Sequence, residues 1–98
     1  MILVRDIFNL RFGTMRDALS MWKEGEAIMR ANGHKPGRIL TDLTGDYYTL
    51  VMETQFNNLS EFENGSTPPA QADAWRDWYK RFSQLVESGR REIFKIVQ

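Results

Sequence analysis

The chain has 98 residues with no cysteine and one histidine, and its 13 basic and 13 acidic side chains give a formal net charge of zero. One hydrophobic core suits this length, and the composition excludes disulfides, thiolate chemistry and His-rich metal sites. A nucleic-acid binder would normally have a basic excess, so that class is disfavoured as well.

The N-terminal segment MILVRDIFNL does not have the features of a signal peptide, because Arg5 and Asp6 interrupt its apolar run and no small-residue cleavage site follows. No apolar run approaches the roughly 20 residues that span a bilayer. We therefore expect a single cytoplasmic domain over residues 1–98, without a cofactor, a bound metal, a nucleic-acid partner or a membrane.

The first strand is predicted over residues 2–12, where apolar side chains alternate with period two. Asp6 is the one charged residue on the face that this pattern assigns to the core. Gly13 and Thr14 end the strand, and a helix is predicted over residues 15–31. Its broad apolar stripe consists of Ala18, Leu19, Met21, Trp22, Ile28 and Met29. Gly25 lies inside that helix, where it costs about 1 kcal/mol against Ala unless a close contact requires it.

Residues 38–56, RILTDLTGDYYTLVMETQF, predict a β-hairpin whose strands are joined at Gly45-Asp46. Gly at the first central position supplies the positive φ of a type II′ turn, and that turn fixes the register. Ile39 then faces Met52, and Arg38 faces Glu53 with opposite charge. One face of the hairpin is apolar and must be covered; it comprises Ile39, Thr41, Leu43, Tyr48, Leu50, Met52 and Phe56.

A short helix is predicted next, capped by Ser60 with Glu63 three residues later and held down by Leu59 and Phe62. A loop over residues 64–69 follows.

The second main helix is predicted over residues 69–88, with the pairs Asp73–Arg76 and Asp77–Arg81 on its solvated side. Gly89 is interpreted as its end. The last strand is then predicted over residues 90–98, with Phe94 and Ile96 facing the core.

The element order β-α-β-β-α-β predicts an α+β, ferredoxin-like fold: a four-stranded antiparallel sheet with both main helices on one face. The other face of this sheet is not clearly polar. Its apolar members are Leu3, Ile7, Leu40, Tyr47, Val51, Ile93 and Val97. Such an exposed apolar area predicts a partner, and a second copy of the chain is the simplest one. We therefore expect a homodimer through the sheet face.

The chain resembles the dimeric α/β-barrel superfamily, in which two ferredoxin-like protomers stack their sheet faces into a shared barrel. The resemblance covers nearly the whole chain, and it rests on NLRFG at the end of the first strand, the helix with Trp22, the block LTGDYYTLVMETQFNNLSEFE and the closing SGRREIFKIV. Members of that superfamily include antibiotic-biosynthesis-type monooxygenases and NIPSNAP-like proteins. The resemblance indicates fold and assembly better than activity, because this fold hosts unrelated functions.

The resemblance implies a pocket inside each protomer, between the helices and the sheet. Asp6 falls where the monooxygenases frequently have a pocket Asn, and no helical His is suited to binding haem. On both points the chain departs from the cofactor-free and haem-degrading monooxygenases.

Asp6 is the candidate catalytic residue, since a carboxylate on the helix-facing side of a central strand suits a general base or a polar anchor. A structural alternative is an ion pair with Arg90 or Arg91. His34 is interpreted as a solvated loop residue.

Four aromatic residues are candidate ligand-binding residues that could line a pocket for a flat ligand: Trp22, Tyr48, Trp75 and Trp78. At helical spacing such residues also serve as ordinary core, because aromatic rings supply much of the buried area of a small domain. The Tyr48 hydroxyl needs a buried partner, and Asp6 could supply one.

Three hypotheses follow. The first is a small-molecule binder or cofactor-independent enzyme with its pocket around Asp6. The second is a non-catalytic homodimer with a structural or regulatory role. The third, an RNA-recognition domain of the same strand order, is disfavoured because the strand YYTLVMETQF lacks the exposed aromatic pattern on which bases stack.

Overall fold

The computed structural model describes residues 1–31, 33–65 and 72–98. In chain order these form β1 (Ile2–Leu10), α1 (Met15–Ala31), β2 (Ile39–Thr41), β3 (Thr49–Phe56), α2 (Leu59–Gly65), α3 (Ala72–Ser83) and β4 (Val86–Lys95). The described strands make an antiparallel sheet in the order β2-β3-β1-β4. The predicted α+β, ferredoxin-like fold is confirmed.

The core lies between the two long helices and one face of the sheet, which we call the inner face; the opposite side is the outer face. The fully buried cluster at this contact comprises Leu10, Ala18, Trp22, Leu50, Trp78 and Phe82. α1 has the predicted bounds. None of the described helices is both long enough and apolar enough to cross a membrane.

Trp78 of α3 packs directly on Gly25 of α1. A Cβ atom built on Gly25 would lie 2.7 Å from the indole ring, which explains the glycine that the sequence leaves unaccounted for inside a helix. The missing side chain lets the indole approach the helix backbone, where Trp78 Nε1 donates a hydrogen bond of 2.6 Å to the carbonyl oxygen of Met21. Close approach of the two helices therefore depends on Gly25.

The predicted register of the hairpin is confirmed: Ile39 pairs with Met52, Leu40 with Val51 and Thr41 with Leu50. Because the side-chain period of a strand is two, this register fixes which residues of β3 face the helices. Leu50 consequently enters the core, and Met52 packs against it.

The predicted two-residue turn is wrong, because a loop of seven residues, 42–48, separates β2 from β3. Asp42 closes the loop by accepting a 2.9 Å hydrogen bond from the Thr49 N–H on its carboxylate. Gly45 has the expected positive φ of 101°, but Tyr48 also has a positive φ, 58°, and so leaves the strand conformation. Its carbonyl oxygen accepts from the Leu10 N–H, and its ring packs at 5.0 Å against Phe12. Tertiary contacts of Tyr48 thus replace the tight turn.

Two predicted strand ends are also corrected at this end of the sheet. β1 ends at Leu10, and Phe12 beyond it is exposed. Leu43 lies in the loop with 98% of its surface accessible and is not covered by the helices.

α2 begins two residues earlier than predicted, at Leu59. The Asn58 side chain, not Ser60, caps it, because Asn58 Oδ1 accepts a 2.8 Å hydrogen bond from the Glu61 N–H. Phe62 packs against Phe56 with ring centroids 5.4 Å apart, whereas Leu59 is exposed. Of the predicted 64–69 loop, residues 64 and 65 belong to α2 and residues 66–69 lie outside the described part of the chain.

The second main helix ends at Ser83, five residues before the predicted end, and residues 69–71 of its predicted start lie outside the described ranges. The Leu85 N–H closes the last turn by donating to the carbonyl oxygen of Phe82, and the Leu85 carbonyl oxygen accepts from the N–H of Arg11, the residue just after β1. Gly89 lies within β4 opposite Phe8. A Cβ atom there would lie 3.3 Å from the Phe8 ring, so this glycine accommodates an aromatic neighbour and does not end the helix.

The predicted facing of the last strand is wrong by one residue. Ile93 lies opposite Val4 on the inner face, while Phe94 lies opposite Leu3 on the outer face. The register between β1 and β4 shifts between Asn9 and Leu10, and an irregularity of this kind reverses the face of every later residue.

Gly25→Ala tests the helix contact. We expect the substitution to lower the free energy of unfolding by about 1–3 kcal/mol, because overpacking against Trp78 outweighs the roughly 1 kcal/mol that Ala gains over Gly in a helix. Urea unfolding followed by tryptophan fluorescence measures it. The exposed helix substitution Ser20→Ala should change stability by less than about 0.5 kcal/mol; an increase in stability for Gly25→Ala would contradict the packing argument.

Candidate functional site

An open cavity of about 890 Å³ lies between the inner face of the sheet and the helices. Its lining comes from every described element except β2. The side chains that define its character are Val4, Asp6, Phe8, Trp22, Met52, Phe56, Phe62, Trp75, Trp78, Phe82 and Arg91. The volume falls within the range typical of small-molecule pockets.

Stacked aromatic rings form the helix-side wall. Trp75 and Trp78 stack with centroids 4.9 Å apart and an interplanar angle of 23°, and Trp78 stacks on Phe82 at 4.9 Å and 8°. Positions 75, 78 and 82 share one face of a helix, so local periodicity alone brings these rings together. The wall is therefore apolar, with its rings nearly parallel.

Three of the four predicted aromatic residues meet at this cavity: Trp22, Trp75 and Trp78. Trp22 and Trp78 are buried core residues at the same time. Tyr48 lies apart, since it is not among the described residues that line the cavity and packs instead against Phe12.

Asp6 reaches the cavity from β1, as its position in the strand pattern predicts. Arg91 lies directly across from it on β4, and Arg91 Nε donates a 2.5 Å hydrogen bond to Asp6 Oδ1. The guanidinium also lies over the Phe62 ring, 5.2 Å from its centroid, a cation–π contact. The hydrogen bond that Arg91 donates to the Asp6 carboxylate raises the pKa of Arg91 above its ordinary value, so Arg91 is cationic throughout the accessible pH range.

Asp6 thus forms an ion pair with Arg91, the structural alternative to a catalytic role. The same pair brings Arg91 into the cavity as a second functional group. Arg91 is predicted only as a possible partner, because the sequence pattern assigns the residues of β4 to the wrong faces of the sheet. Placing the acidic residue of β1 opposite a basic residue of β4 would have identified the pair from the sequence, since opposite charges across neighbouring strands attract.

His34 also differs from its interpretation as a solvated residue. It is half-buried and lines the cavity beside Lys35. Its N–H donates to the carbonyl oxygen of Met29 across Gly33, the hydrogen bond of a Schellman motif, in which the residue after the helix-ending glycine folds back onto the helix. That local rule is the sequence signal that places His34 inward.

The cavity is largely apolar, and the Asp6–Arg91 ion pair lies on the side formed by the sheet. The described residues contain no group of three or more histidine, aspartate or glutamate side chains arranged to hold a metal ion. An apolar ligand body could stack on the tryptophan wall, with a polar substituent directed to the Asp6–Arg91 pair.

No protein-family model matches the chain, and no curated protein sequence matches it. Solved structures do match. A NIPSNAP family protein from Agrobacterium tumefaciens C58 is 21% identical, with a TM-score of 0.86 over 96% of this chain and 90% of that one. A NIPSNAP domain protein from Burkholderia xenovorans is 13% identical, with a TM-score of 0.88 over 99% and 95%.

The chain has the fold of these NIPSNAP structures. A putative antibiotic biosynthesis monooxygenase from Nitrosomonas europaea matches over 100% of both chains, at 11% identity and a TM-score of 0.71. The resemblance stated from the sequence is confirmed as a likeness of structure. Since every one of these identities is below 25%, the likeness establishes the fold.

The strength of the Asp6–Arg91 pair can be measured with a double-mutant cycle of Asp6→Asn and Arg91→Gln. The side chains are 29% and 52% accessible, so solvent screens the attraction and we expect a coupling of only about 0.5–1 kcal/mol in the free energy of unfolding. The helix pair Asp73–Arg76, which is more exposed, should couple more weakly. A coupling above about 2 kcal/mol would show that the pair mainly stabilises the fold.

Proposed function

We propose that this protein binds a small, largely apolar organic molecule in the cavity between its helices and the inner face of its sheet. The observation that supports this most is the aromatic lining of an open cavity: half-buried Trp75 borders it and stacks on Trp78, which is itself buried. A domain that only needed a core would fill such a space with side chains. Aromatic lining with few polar groups is the usual character of small-molecule sites.

A cofactor-independent conversion of the ligand is the catalytic form of this proposal. Asp6 is the carboxylate that would serve it, because it lines the same cavity from β1. Its Oδ1 is engaged by Arg91, which leaves Oδ2 as the oxygen to accept a proton from a bound ligand. Binding alone does not require this step, and the two can be tested separately.

Binding is tested with the neutral fluorescent dye N-phenylnaphthylamine (NPN), which brightens in apolar pockets. Protein titrated into a fixed low dye concentration should give saturable binding with a dissociation constant on the order of 100 μM or tighter. All three tryptophans of the chain line the cavity, so energy transfer from tryptophan to the dye gives a second signal of binding.

Thr54→Phe is the matched variant for this test. Thr54 is on the inner face of β3 and lines the cavity, so a phenyl group there should fill the space and weaken dye binding about tenfold or more. Thr44→Phe adds the same ring in an exposed loop and should leave binding unchanged. Equal binding by both variants would place the dye elsewhere and contradict the proposal.

A second candidate function is assembly into a homodimer through the outer face. Phe94 is 47% accessible there and lies opposite Leu3. Around the centre of this face, Glu53 is only 6% accessible and pairs with Arg5 Nε at 3.2 Å and Arg38 Nη2 at 2.7 Å. A face that contains apolar side chains and both signs of charge can be self-complementary, as a two-fold interface requires.

The ion pairs also limit what the outer face would contribute. Ile7 and Val51 are more than nine-tenths buried within the single chain, so less apolar area is left for a partner than the strand pattern alone predicts. A stable interface needs about 800 Å² from each partner. Polar contacts through the arginine–glutamate network would therefore supply part of it.

Size-exclusion chromatography with light scattering tests this assembly. We expect a dimer at micromolar concentration and a monomer for Phe94→Glu, which places a charge on the outer face. Ile93→Glu is the matched control, because Ile93 is similarly exposed, at 41%, but belongs to the inner face. It should remain dimeric. A wild-type monomer, or equal disruption by both variants, would count against assembly through this face.

A further inference from the structure

We infer that the ligand of the cavity has an anionic group, such as a carboxylate or sulfonate, and that Arg91 binds it. The inference rests on the proposed binding function and adds the chemical class of the ligand. It assigns Asp6 a different role from the one its sequence position suggests: Asp6 is a positioning residue for Arg91.

The Arg91 guanidinium is held in one orientation before any ligand arrives. Its Nε donates to Asp6 Oδ1 at 2.5 Å, and its Cζ lies over the Phe62 ring, 5.2 Å from the centroid. A guanidinium has five N–H donors, and the bond to Asp6 uses one. Because the side chain is fixed and still half exposed at 52%, its remaining donors can reach a ligand with little further loss of conformational freedom.

The other charged groups of the cavity favour an anion over a cation. Both carboxylates that line it are already engaged: Asp6 Oδ1 by Arg91, and Glu61 Oε2 by a 2.8 Å hydrogen bond from Asn57 Nδ2. A ligand ammonium would have to compete with a bound guanidinium for Asp6. Lys35 also lines the cavity and adds a positive charge near its edge.

The apolar wall and the cationic group together define an amphipathic ligand. Trp75 and Trp78 stack on α3, while Arg91 belongs to β4, and all three border the same space. A ligand that satisfies both would place its apolar body on the tryptophan wall and its anionic group on the guanidinium. Guanidinium recognises planar carboxylates by paired hydrogen bonds, which adds directional preference to charge.

Two dyes that differ by one sulfonate test this inference: NPN, which is neutral, and anilinonaphthalene sulfonate (ANS), which is its anionic counterpart. For the wild-type protein we expect ANS to bind about tenfold more tightly than NPN, the effect of one charge-assisted contact to a half-exposed group. Arg91→Met should remove that preference and leave NPN binding within about twofold. Retained NPN binding shows that the variant still folds and keeps its cavity.

Arg16→Met is the matched control, because Arg16 is an exposed arginine on α1 that does not border the cavity. It removes the same charge and should keep the preference for ANS. Asp6→Asn should increase ANS affinity about threefold, since the amide oxygen can still accept from Arg91 while the neighbouring negative charge is gone. A purely structural role for Asp6 would change both dyes alike.

These measurements distinguish a failure of binding in the cavity from a failure of the anionic class. If NPN does not bind at all, the proposed function is wrong. If NPN binds but ANS has no preference, or if Arg91→Met weakens both dyes by the same factor, the binding function stands and the anionic class is wrong. A loss of ANS preference in Arg16→Met would attribute the effect to net charge and overturn the role of Arg91.

Discussion

The structure depends on the contact of Trp78 with the backbone of α1. The indole is 2% accessible, lies against the bare Cα of Gly25 and donates its only N–H to Met21. A buried tryptophan must satisfy that donor, and an α-helix offers few accessible acceptors along its length. Gly25 creates the access. One small residue on α1 thereby sets the separation of the two long helices, and with it the space that remains between them and the sheet.

The same contact explains why core and cavity cannot be separated in the sequence. Trp78 and Phe82 are among the most deeply buried side chains, and both also border the cavity. Both rings are almost wholly covered, and only their margins border the cavity. The same aromatic rings therefore serve as core and as lining of the cavity. A two-layer fold of this size has too few side chains to keep the two roles apart.

Sequence periodicity predicted α1 and the hairpin register well, because both are local: Gly45 centres the loop, and Ile39 and Met52 follow by counting. It failed where tertiary contacts decide. Tyr48 leaves the strand to contact Phe12, and Leu85 is drawn to the sheet by Arg11, so neither the loop length nor the end of α3 can be derived from propensity. The cavity followed from the fold, but Arg91 did not, since its position depends on the phase of β4.

Charge pairing favours that phase in addition to apolar burial. Placing Phe94 opposite Val4 would bury more apolar surface, but the same one-residue slip would set Glu92 opposite Asp6. A slip the other way would set Arg91 opposite Arg5, although it would also set Arg90 opposite Asp6. Like charges directly across a strand pair are destabilising, whereas the observed register pairs Arg91 with Asp6 and Glu92 with Arg5. Asp6 therefore contributes to the register of the edge strand, and that register places a cation in the cavity.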